Sequence, residues 1–180
     1  MEIILILGPM YSGKTTRLIY EIERKLMEQK KCIIIRNIIV ARIAPNIIKT
    51  HNGTVFDKCE VYMTKCLNNM NITNVDVIGL DESQFFDTDD ILLFIKNCKK
   101  MGVKKIYITG LNGDYMIKPF NTISNLIPYC DKIIKLKAIC DCGRKANFSK
   151  KKNIQNDQQI QIGGKETYVA TCYNCHNTEK

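Results

Sequence analysis

The stretch Gly8-Pro9-Met10-Tyr11-Ser12-Gly13-Lys14-Thr15 matches the phosphate-binding pattern GxxxxGK[ST] at every fixed position. An apolar run at 2–7 precedes it and is typical of a short buried strand, while residues 16–30 follow with helical apolar spacing. Backbone N–H groups of such a loop, together with the helix N-terminus, bind phosphate oxygens. The sequence therefore predicts a nucleoside triphosphate site, with Lys14 on the β- and γ-phosphates and the Thr15 hydroxyl on Mg²⁺.

The rest of the chain alternates apolar runs with helical patterns. Four further runs are continuous in Ile, Val and Leu, which predicts strands that are covered on both faces: 31–36, 75–80, 104–109 and 132–136. Helices are predicted from an Asp87-Thr88 cap to about 100, and over 121–130. This alternation predicts an α/β fold with a doubly wound parallel sheet flanked by helices.

The composition and the hydrophobic pattern of the sequence change near residue 138. Cysteine pairs, glycines and many Gln and Asn residues replace the helical spacing. We therefore expect two domains, a P-loop nucleotide-binding domain over 1–137 and a small zinc-binding domain over 138–180.

Two acids follow the apolar run at 75–80. In a P-loop fold this strand is expected beside the first one, so that Asp81 approaches the Mg²⁺. Glu82 would point elsewhere and could accept a proton from an attacking hydroxyl or water. A plain surface turn is the alternative for this pair of acids.

Two close cysteine pairs lie near the C-terminus, Cys140 with Cys142 and Cys172 with Cys175. Four thiolates brought together form a tetrahedral structural zinc site without an open position for catalysis. His176 as a substitute ligand and free structural cysteines remain alternatives. Zinc bound here would clamp the ends of the segment at 159–164, so the sequence predicts that its loss weakens nucleoside binding more than ATP binding.

Composition indicates the compartment and the partners. The odd number of cysteines, nine, and the lack of a secretory or membrane-spanning pattern predict a cytoplasmic protein without a membrane partner. The net charge of +9 has two interpretations, a solvated surface that attracts anionic nucleotides or a nucleic-acid face. We favour the first and expect no nucleic-acid partner, because no aromatic residues interleave with the lysine clusters.

Together with four further segments, these motifs resemble one family over nearly the whole length of the chain, the type II thymidine kinases of cells and large DNA viruses. The resemblance rests on the P-loop, the cysteine pairs and four further segments: Asp81-Glu82-Ser83-Gln84-Phe85-Phe86, Leu111-Asn112-Gly113-Asp114-Tyr115, Lys118-Pro119-Phe120, and Ile162-Gly163-Gly164 leading to Tyr168. The Asp-Glu-x-Gln-Phe-Phe segment is the most specific of them.

The resemblance implies a RecA-like P-loop domain, a zinc-anchored lasso, and ATP-dependent phosphorylation of thymidine to its monophosphate. It implies that Glu82 is the base for the 5′-hydroxyl and that Asp81 and Thr15 hold Mg²⁺. The implied phosphate-binding residues are those of the P-loop with Arg42, Asp81 and Gln84. The implied nucleoside-binding residues are Met10, Phe85, Leu111, Tyr115, Phe120, Gln159, Ile160, Gln161, Ile162, Gly163 and Tyr168.

The resemblance also implies how thymine is recognised, how the activity is regulated and how the chains assemble. The lasso would read thymine through its backbone groups, whereas each aromatic residue could instead be ordinary core packing. The family also implies feedback inhibition by dTTP and a homo-oligomer, either a dimer or a tetramer.

The chain departs from the family pattern at three places. The family's Asp-x-Arg motif is replaced by Val40-Ala41-Arg42, which leaves Mg²⁺ to Thr15, Asp81, phosphates and water. Asp114 stands where a small Thr or Ser is usual, and the first cysteine pair is one residue short.

Two other functions are compatible with the same motifs. One is a P-loop ATPase or switch in which Glu82 activates water, and the other is a basic zinc-ribbon module that binds nucleic acid.

Overall fold

The computed structural model describes residues 1–40, 48–49, 55–152 and 163–178. The strands in this part of the chain are β1 (Glu2–Gly8), β2 (Cys32–Asn37), β3 (Ile48–Lys49), β4 (Val55–Phe56), β5 (Glu60–Thr64), β6 (Val77–Asp81), β7 (Lys105–Leu111), β8 (Lys132–Lys135), β9 (Ala138–Ile139), β10 (Lys145–Ala146), β11 (Phe148–Lys151) and β12 (Tyr168–Thr171). The α-helices there are α1 (Lys14–Met27), α2 (Thr88–Lys100), α3 (Asn121–Leu126) and α4 (Tyr173–Asn177).

Six strands form one parallel sheet in the order β5-β2-β6-β7-β1-β8. Helices flank this sheet, which confirms the predicted α/β fold. The expectation that the strand ending in Asp81 lies beside the first strand is wrong, because β7 pairs with both β1 and β6 and separates them. The carboxyl ends of all three strands nevertheless meet at one edge of the sheet.

The core has two layers, one on each face of the sheet. Along β1, Ile3, Leu5 and Leu7 pack with α2 and α3, whereas Ile4 and Ile6 pack with α1. Successive side chains of a strand point to opposite faces, so a strand covered on both faces must be apolar at every position. The continuous apolar runs in the sequence are the direct result.

Local signals set the helix boundaries. The Asp87 side chain accepts hydrogen bonds from the backbone of Asp89 and Asp90, so the predicted cap of α2 is present. The helix predicted over 121–130 ends earlier, at Leu126, and continues as a 3₁₀ turn over Ile127–Tyr129 that contains Pro128. Proline cannot donate the backbone hydrogen bond that a longer α-helix would need.

The edges of the sheet differ from the sequence expectation. The prediction that β8 is covered on both faces is wrong, since three of its four residues are exposed at the edge of the sheet. Strand β5 at the opposite edge was not predicted, because its mixed sequence Glu-Val-Tyr-Met-Thr lacks a continuous apolar run.

The part of the chain after β8 has its own small core. The two-stranded ribbons β9–β10 and β11–β12 surround a cluster of small residues: Ala138, Cys140, Ala146, Ala170 and Cys172. Tyr11 of the phosphate loop packs against this cluster. No helix in the described ranges is long and apolar enough to cross a bilayer.

The packing of α2 against the sheet allows a prediction about the free energy of unfolding. The Ile91 side chain is fully buried, whereas Leu93, two residues later on the same helix, is 50% exposed. We expect Ile91→Ala to lower the free energy of unfolding by about 2–5 kcal/mol, through lost burial and the cavity left behind. Leu93→Ala, the matched control, should change it by less than about 0.5 kcal/mol. Urea denaturation of both variants measures the difference, and equal losses would contradict the assigned orientation of α2.

Candidate active site

The phosphate loop joins the end of β1 to the start of α1. A Cβ at Gly8 would lie 2.9 Å from the backbone oxygen of Leu136, so a larger residue does not fit there. Gly13, the residue before the helix, has a left-handed φ of 81°, which glycine adopts without steric cost. Inside the loop, Ser12 Oγ donates a 2.8 Å hydrogen bond to the Pro9 carbonyl. The sequence pattern thus corresponds to a compact turn before a helix N-terminus.

Lys14 lies within this turn. Its ammonium donates a 2.8 Å hydrogen bond to the Pro9 carbonyl, and its side chain is buried. Burial lowers the pKa of Lys14, although the nearby carboxylates of Glu82 and Asp81 act in the opposite direction. The ammonium is therefore close to both acids that were expected to take part in the chemistry.

Asp81, at the end of β6, is the centre of a buried polar network. Its carboxylate is fully buried and accepts hydrogen bonds from Thr15 Oγ1 at 3.2 Å and from Thr109 Oγ1 at 2.7 Å. Arg36 Nε forms an ion pair with Asp81 Oδ2 at 3.2 Å. Thr109 lies on β7, the strand between β6 and β1. Thr15 and Asp81, the two residues expected on Mg²⁺, are thus in contact.

Glu82 follows with an unusual backbone conformation. Its φ of 56° and ψ of 45° lie in the left-handed region, which is uncommon for residues other than glycine. Gln84 Nε2 donates a 2.6 Å hydrogen bond to Glu82 Oε2, and Gln84 Oε1 accepts one from the backbone N–H of Leu111 at 3.1 Å. Gln84, expected among the phosphate-binding residues, therefore has both ends of its buried amide engaged by protein groups.

The residues expected to bind the nucleoside lie in several environments. Tyr115, Phe120 and Tyr168 are buried, and Phe120 belongs to the large core cluster on the α2 face of the sheet. Leu111 packs against that same cluster. The ammonium of the buried Lys151 lies 5.2 Å from the centre of the Tyr115 ring. Met10, Phe85 and Gly163 are each partly exposed.

The C-terminal segment contacts the nucleotide side of the sheet. Ser149 Oγ on β11 accepts a 3.0 Å hydrogen bond from the backbone N–H of Met10. Asn112 Nδ2, after β7, donates to the Asn147 carbonyl at 3.1 Å. His176 Nε2 lies 3.0 Å from the Tyr115 carbonyl. These contacts fix the small core against the phosphate loop and against the loop that follows β7.

The four clustered cysteines meet in space. Their sulfur atoms all lie within 4.8 Å of one another, and Cys142 Sγ is 3.7 Å from Cys172 Sγ. Zinc–sulfur bonds of about 2.3 Å in a tetrahedron require sulfur atoms about 3.8 Å apart. The shortened first pair is accommodated by a tight turn, in which Gly143 has a φ of 80° and donates to the Cys140 carbonyl at 2.7 Å. This geometry could hold a metal ion.

Hydrogen bonds within the cluster lower the pKa of two of its thiols, those of Cys140 and Cys172, and raise the pKa of Cys175 to about 12. Backbone hydrogen bonds from Cys142 and Cys172 lower the pKa of the Cys140 thiol to about 6, which favours the thiolate that binds metal. Among the described residues, the group suited to a metal consists of the four cysteines alone. The alternative ligand His176 is outside that group and contacts Tyr115 instead.

Sequence reasoning missed two residues of the Asp81 network, Arg36 and Thr109. Both stand at the carboxyl ends of strands in the parallel sheet, and Arg36 is the register partner of Asp81. Polar residues at the ends of otherwise apolar strands were the available signal. Their convergence could be found only with the strand order.

Some expected residues lie outside the described ranges. These are Arg42 and the lasso residues Gln159, Ile160, Gln161 and Ile162. Val40, where the resemblance implies a carboxylate in the family, is the last residue of the 3₁₀ turn Ile38–Val40.

The arrangement brings together the parts required for phosphoryl transfer. A phosphate loop, a buried lysine, a hydroxyl–carboxylate pair suited to Mg²⁺ and a second carboxylate lie at one edge of the sheet. Such groups can bind a nucleoside triphosphate and activate a hydroxyl or water near it.

Comparison with known proteins agrees with this geometry. The family model described as thymidine kinase matches residues 1–176. The chain is 43% identical over 183 residues to the thymidine kinase of Amsacta moorei entomopoxvirus, with 98% of each chain covered. It is 41% identical over 182 residues to that of Choristoneura biennis entomopoxvirus, covering 98% of this chain and 97% of the relative.

The similarity extends to a more distant poxvirus. The thymidine kinase of Vaccinia virus (strain Western Reserve) is 38% identical over 174 residues, with 96% of this chain and 94% of the relative covered. A family match over nearly the whole chain, together with relatives of nearly equal length, establishes the relationship. The chain belongs to the thymidine kinase family.

Proposed function

We propose that the protein transfers the γ-phosphoryl group of ATP to the 5′-hydroxyl of thymidine, giving dTMP and ADP. The observation that carries the proposal is the position of Glu82, adjacent to Asp81 and within electrostatic reach of Lys14. Membership of the thymidine kinase family supports the choice of acceptor. The names of the poxvirus relatives support the same choice.

In this proposal Glu82 accepts the proton of the 5′-hydroxyl as the oxygen attacks the γ-phosphorus. The bond from that phosphorus to the β,γ-bridging oxygen breaks, and ADP leaves with the electron pair. Gln84 is the residue that orients Glu82, because it donates to Glu82 Oε2 at 2.6 Å while the Leu111 backbone holds its other end. Gln84 then acts as a positioning residue rather than as a phosphate ligand.

Cationic groups balance the charge on the transferring phosphoryl. Lys14 and Arg42 are proposed to contact the phosphates, and the backbone of Gly8 to Thr15 to surround them. Thr15 and Asp81 are proposed to hold Mg²⁺. When bound, Mg²⁺ neutralises charge on the β- and γ-phosphates. The hydrogen bond between Thr15 and Asp81 supports this assignment, because their oxygen atoms already lie together.

Thymidine is proposed to lie between the phosphate loop and the small domain. The side chains proposed to line its site are Met10, Phe85, Leu111, Tyr115, Phe120 and Tyr168, with Gly163 and residues 159–162 supplying backbone groups. The hydrogen bond from Met10 to Ser149 supports this position, since it joins the loop to the small domain.

The small domain is proposed to begin at residue 138 and to hold a structural Zn²⁺ on Cys140, Cys142, Cys172 and Cys175. The separate core around Ala146 supports the boundary, and the spacing of the sulfur atoms supports the metal. A cytoplasmic location, a homo-oligomeric dimer or tetramer and inhibition by dTTP complete the proposal. The odd cysteine number supports the first, and the family supports the other two.

An acceptor assay tests the proposed reaction. We expect Mg²⁺-dependent ADP release with thymidine and little release without an acceptor, because a bound nucleoside holds its 5′-hydroxyl in position for attack, whereas water is not held there. Deoxyuridine and deoxycytidine serve as comparison acceptors. Equal ADP release with and without nucleoside would instead favour an ATPase. Salt-sensitive oligonucleotide binding without turnover would favour the nucleic-acid module.

Glu82→Gln tests the proposed base. We expect kcat to fall by about 10²- to 10⁴-fold, the usual contribution of general-base catalysis, while the Kd for ATP changes little. Steady-state kinetics and direct nucleotide binding measure the two quantities. Glu60→Gln, which changes an exposed residue on the edge strand β5, is the matched control. A kcat within a few-fold of the native value would overturn the assignment of Glu82.

Cys175→Ser tests the role of zinc. The native protein should contain about one zinc per chain, and the variant should lose it. The sequence alone predicts that the variant weakens thymidine binding more than ATP binding. The structure predicts that both Kd values rise, because Tyr11 of the phosphate loop packs against the small core that contains Cys140 and Cys172.

Cys130→Ser is the control for that experiment, because its sulfur donates to the Leu126 carbonyl, as a serine hydroxyl can, and lies outside the cluster. Zinc-free native protein would refute the metal assignment. An unchanged Kd for ATP in Cys175→Ser would refute the connection to the phosphate loop.

A further inference from the structure

Arg36 is a charged residue near the phosphate loop, and the proposed reaction assigns it no role. It lies at the C-terminal end of β2, directly opposite Asp81 in the sheet register. Its Nε contacts Asp81 Oδ2 at 3.2 Å, and its side chain is 14% exposed. The same Oδ2 atom lies 3.4 Å from Thr15 Oγ1. Arg36 and the P-loop threonine are therefore neighbours on one carboxylate.

The guanidinium group has unused capacity. It carries five N–H donors in a planar fork, which matches phosphate oxygens in pairs. Within the described parts of the chain, Arg36 makes one side-chain hydrogen bond, from Nε to Asp81, and its terminal nitrogens make none. A purely structural partner for Asp81 would need only that single contact.

The surroundings favour a phosphate as the missing partner. The backbone of the P-loop and the Lys14 ammonium are at the same edge of the sheet, so a polyphosphate bound there lies beside Thr15. Charge-assisted bonds from arginine to phosphate are among the strongest hydrogen bonds in proteins.

We propose that Arg36 is a further phosphate-binding residue, which contacts the β- or γ-phosphate of the nucleotide with its terminal nitrogens while Nε stays on Asp81. This proposal rests on the proposed function only for its effect on turnover. The contact itself requires nothing more than a bound nucleoside triphosphate.

A consequence concerns the chain's departure at Val40. With one acidic ligand fewer than the family pattern, the site attracts the metal less strongly. A fixed arginine neutralises phosphate charge without a metal ion. Nucleotide binding in this chain should therefore persist in part when Mg²⁺ is removed, and Arg36 should be responsible for that part.

The experiment compares nucleotide binding in EDTA for the native protein, Arg36→Gln and Arg36→Lys. Glutamine can still donate to Asp81 but has no charge, whereas lysine keeps the charge and loses the planar fork. We expect Arg36→Gln to weaken ATP binding by about 10- to 100-fold, as for the loss of a charge-assisted hydrogen bond, and Arg36→Lys to weaken it less. Binding of AMP, which lacks the β- and γ-phosphates, should change by less than about three-fold.

Arg17→Met is the matched control. Arg17 also forms an ion pair, with Glu21 at 2.7 Å, but on the flank of α1. Its loss should leave ATP affinity within about two-fold of the native value, which separates a contact from a general loss of positive charge. Thermal unfolding of each variant identifies those that fail to fold.

A measurement on the native protein tests the proposal even if the Arg36 variants fail to fold. Phenylglyoxal modification of Arg36, followed by mass spectrometry, should be suppressed by ATP or tripolyphosphate in EDTA and not by thymidine. Unchanged ATP affinity in folded Arg36→Gln, or equal modification with and without ATP, would overturn the proposal. Either result stands whether or not the protein phosphorylates thymidine.

Discussion

The arrangement of the phosphate loop against the carboxyl ends of the strands depends on one buried negative charge, the carboxylate of Asp81. A carboxylate without solvent is costly unless hydrogen bonds and a cation compensate for it. Here Thr15, Thr109 and Arg36 supply that compensation from α1, β7 and β2. Each partner fixes the end of its own element relative to β6. The constraint that makes Asp81 tolerable therefore also determines where the phosphate loop stands against the sheet.

The small C-terminal core extends that constraint to the other side of the loop. Ser149 accepts a hydrogen bond from the backbone of Met10, and Tyr11 packs against the small core that contains Cys140 and Cys172. Burial is the main cause that raises the pKa of Tyr11 to about 12, with smaller contributions from Glu166 and Tyr168. The phosphate loop thus lies between the sheet and the small C-terminal core. Substitutions that disturb either neighbour should therefore change the affinity for the nucleotide.

Much of this arrangement could be predicted from sequence, because its signals are local. The P-loop pattern, the continuous apolar runs and the Asp87 cap each depend on residues that are close in the chain. Strand β5 could not be predicted, since an edge strand need not be apolar. The contact between Arg36 and Asp81 depends on the order and register of two strands, which no local pattern contains. The same limit explains the error about the neighbour of β1.

The left-handed backbone of Glu82 has a consequence for protein engineering. A side chain in this conformation costs of order 1 kcal/mol, which glycine would avoid. Substitution by glycine would relax the backbone and remove the carboxylate held by Gln84. The buried Gln84 amide would then lack its acceptor, and an unpaired buried donor costs about 1–3 kcal/mol, at least as much as the strain that glycine relieves. At position 82, the backbone strain and the side-chain hydrogen bond therefore have opposite effects on stability, and the hydrogen bond keeps the proposed base in a conformation that the backbone alone disfavours.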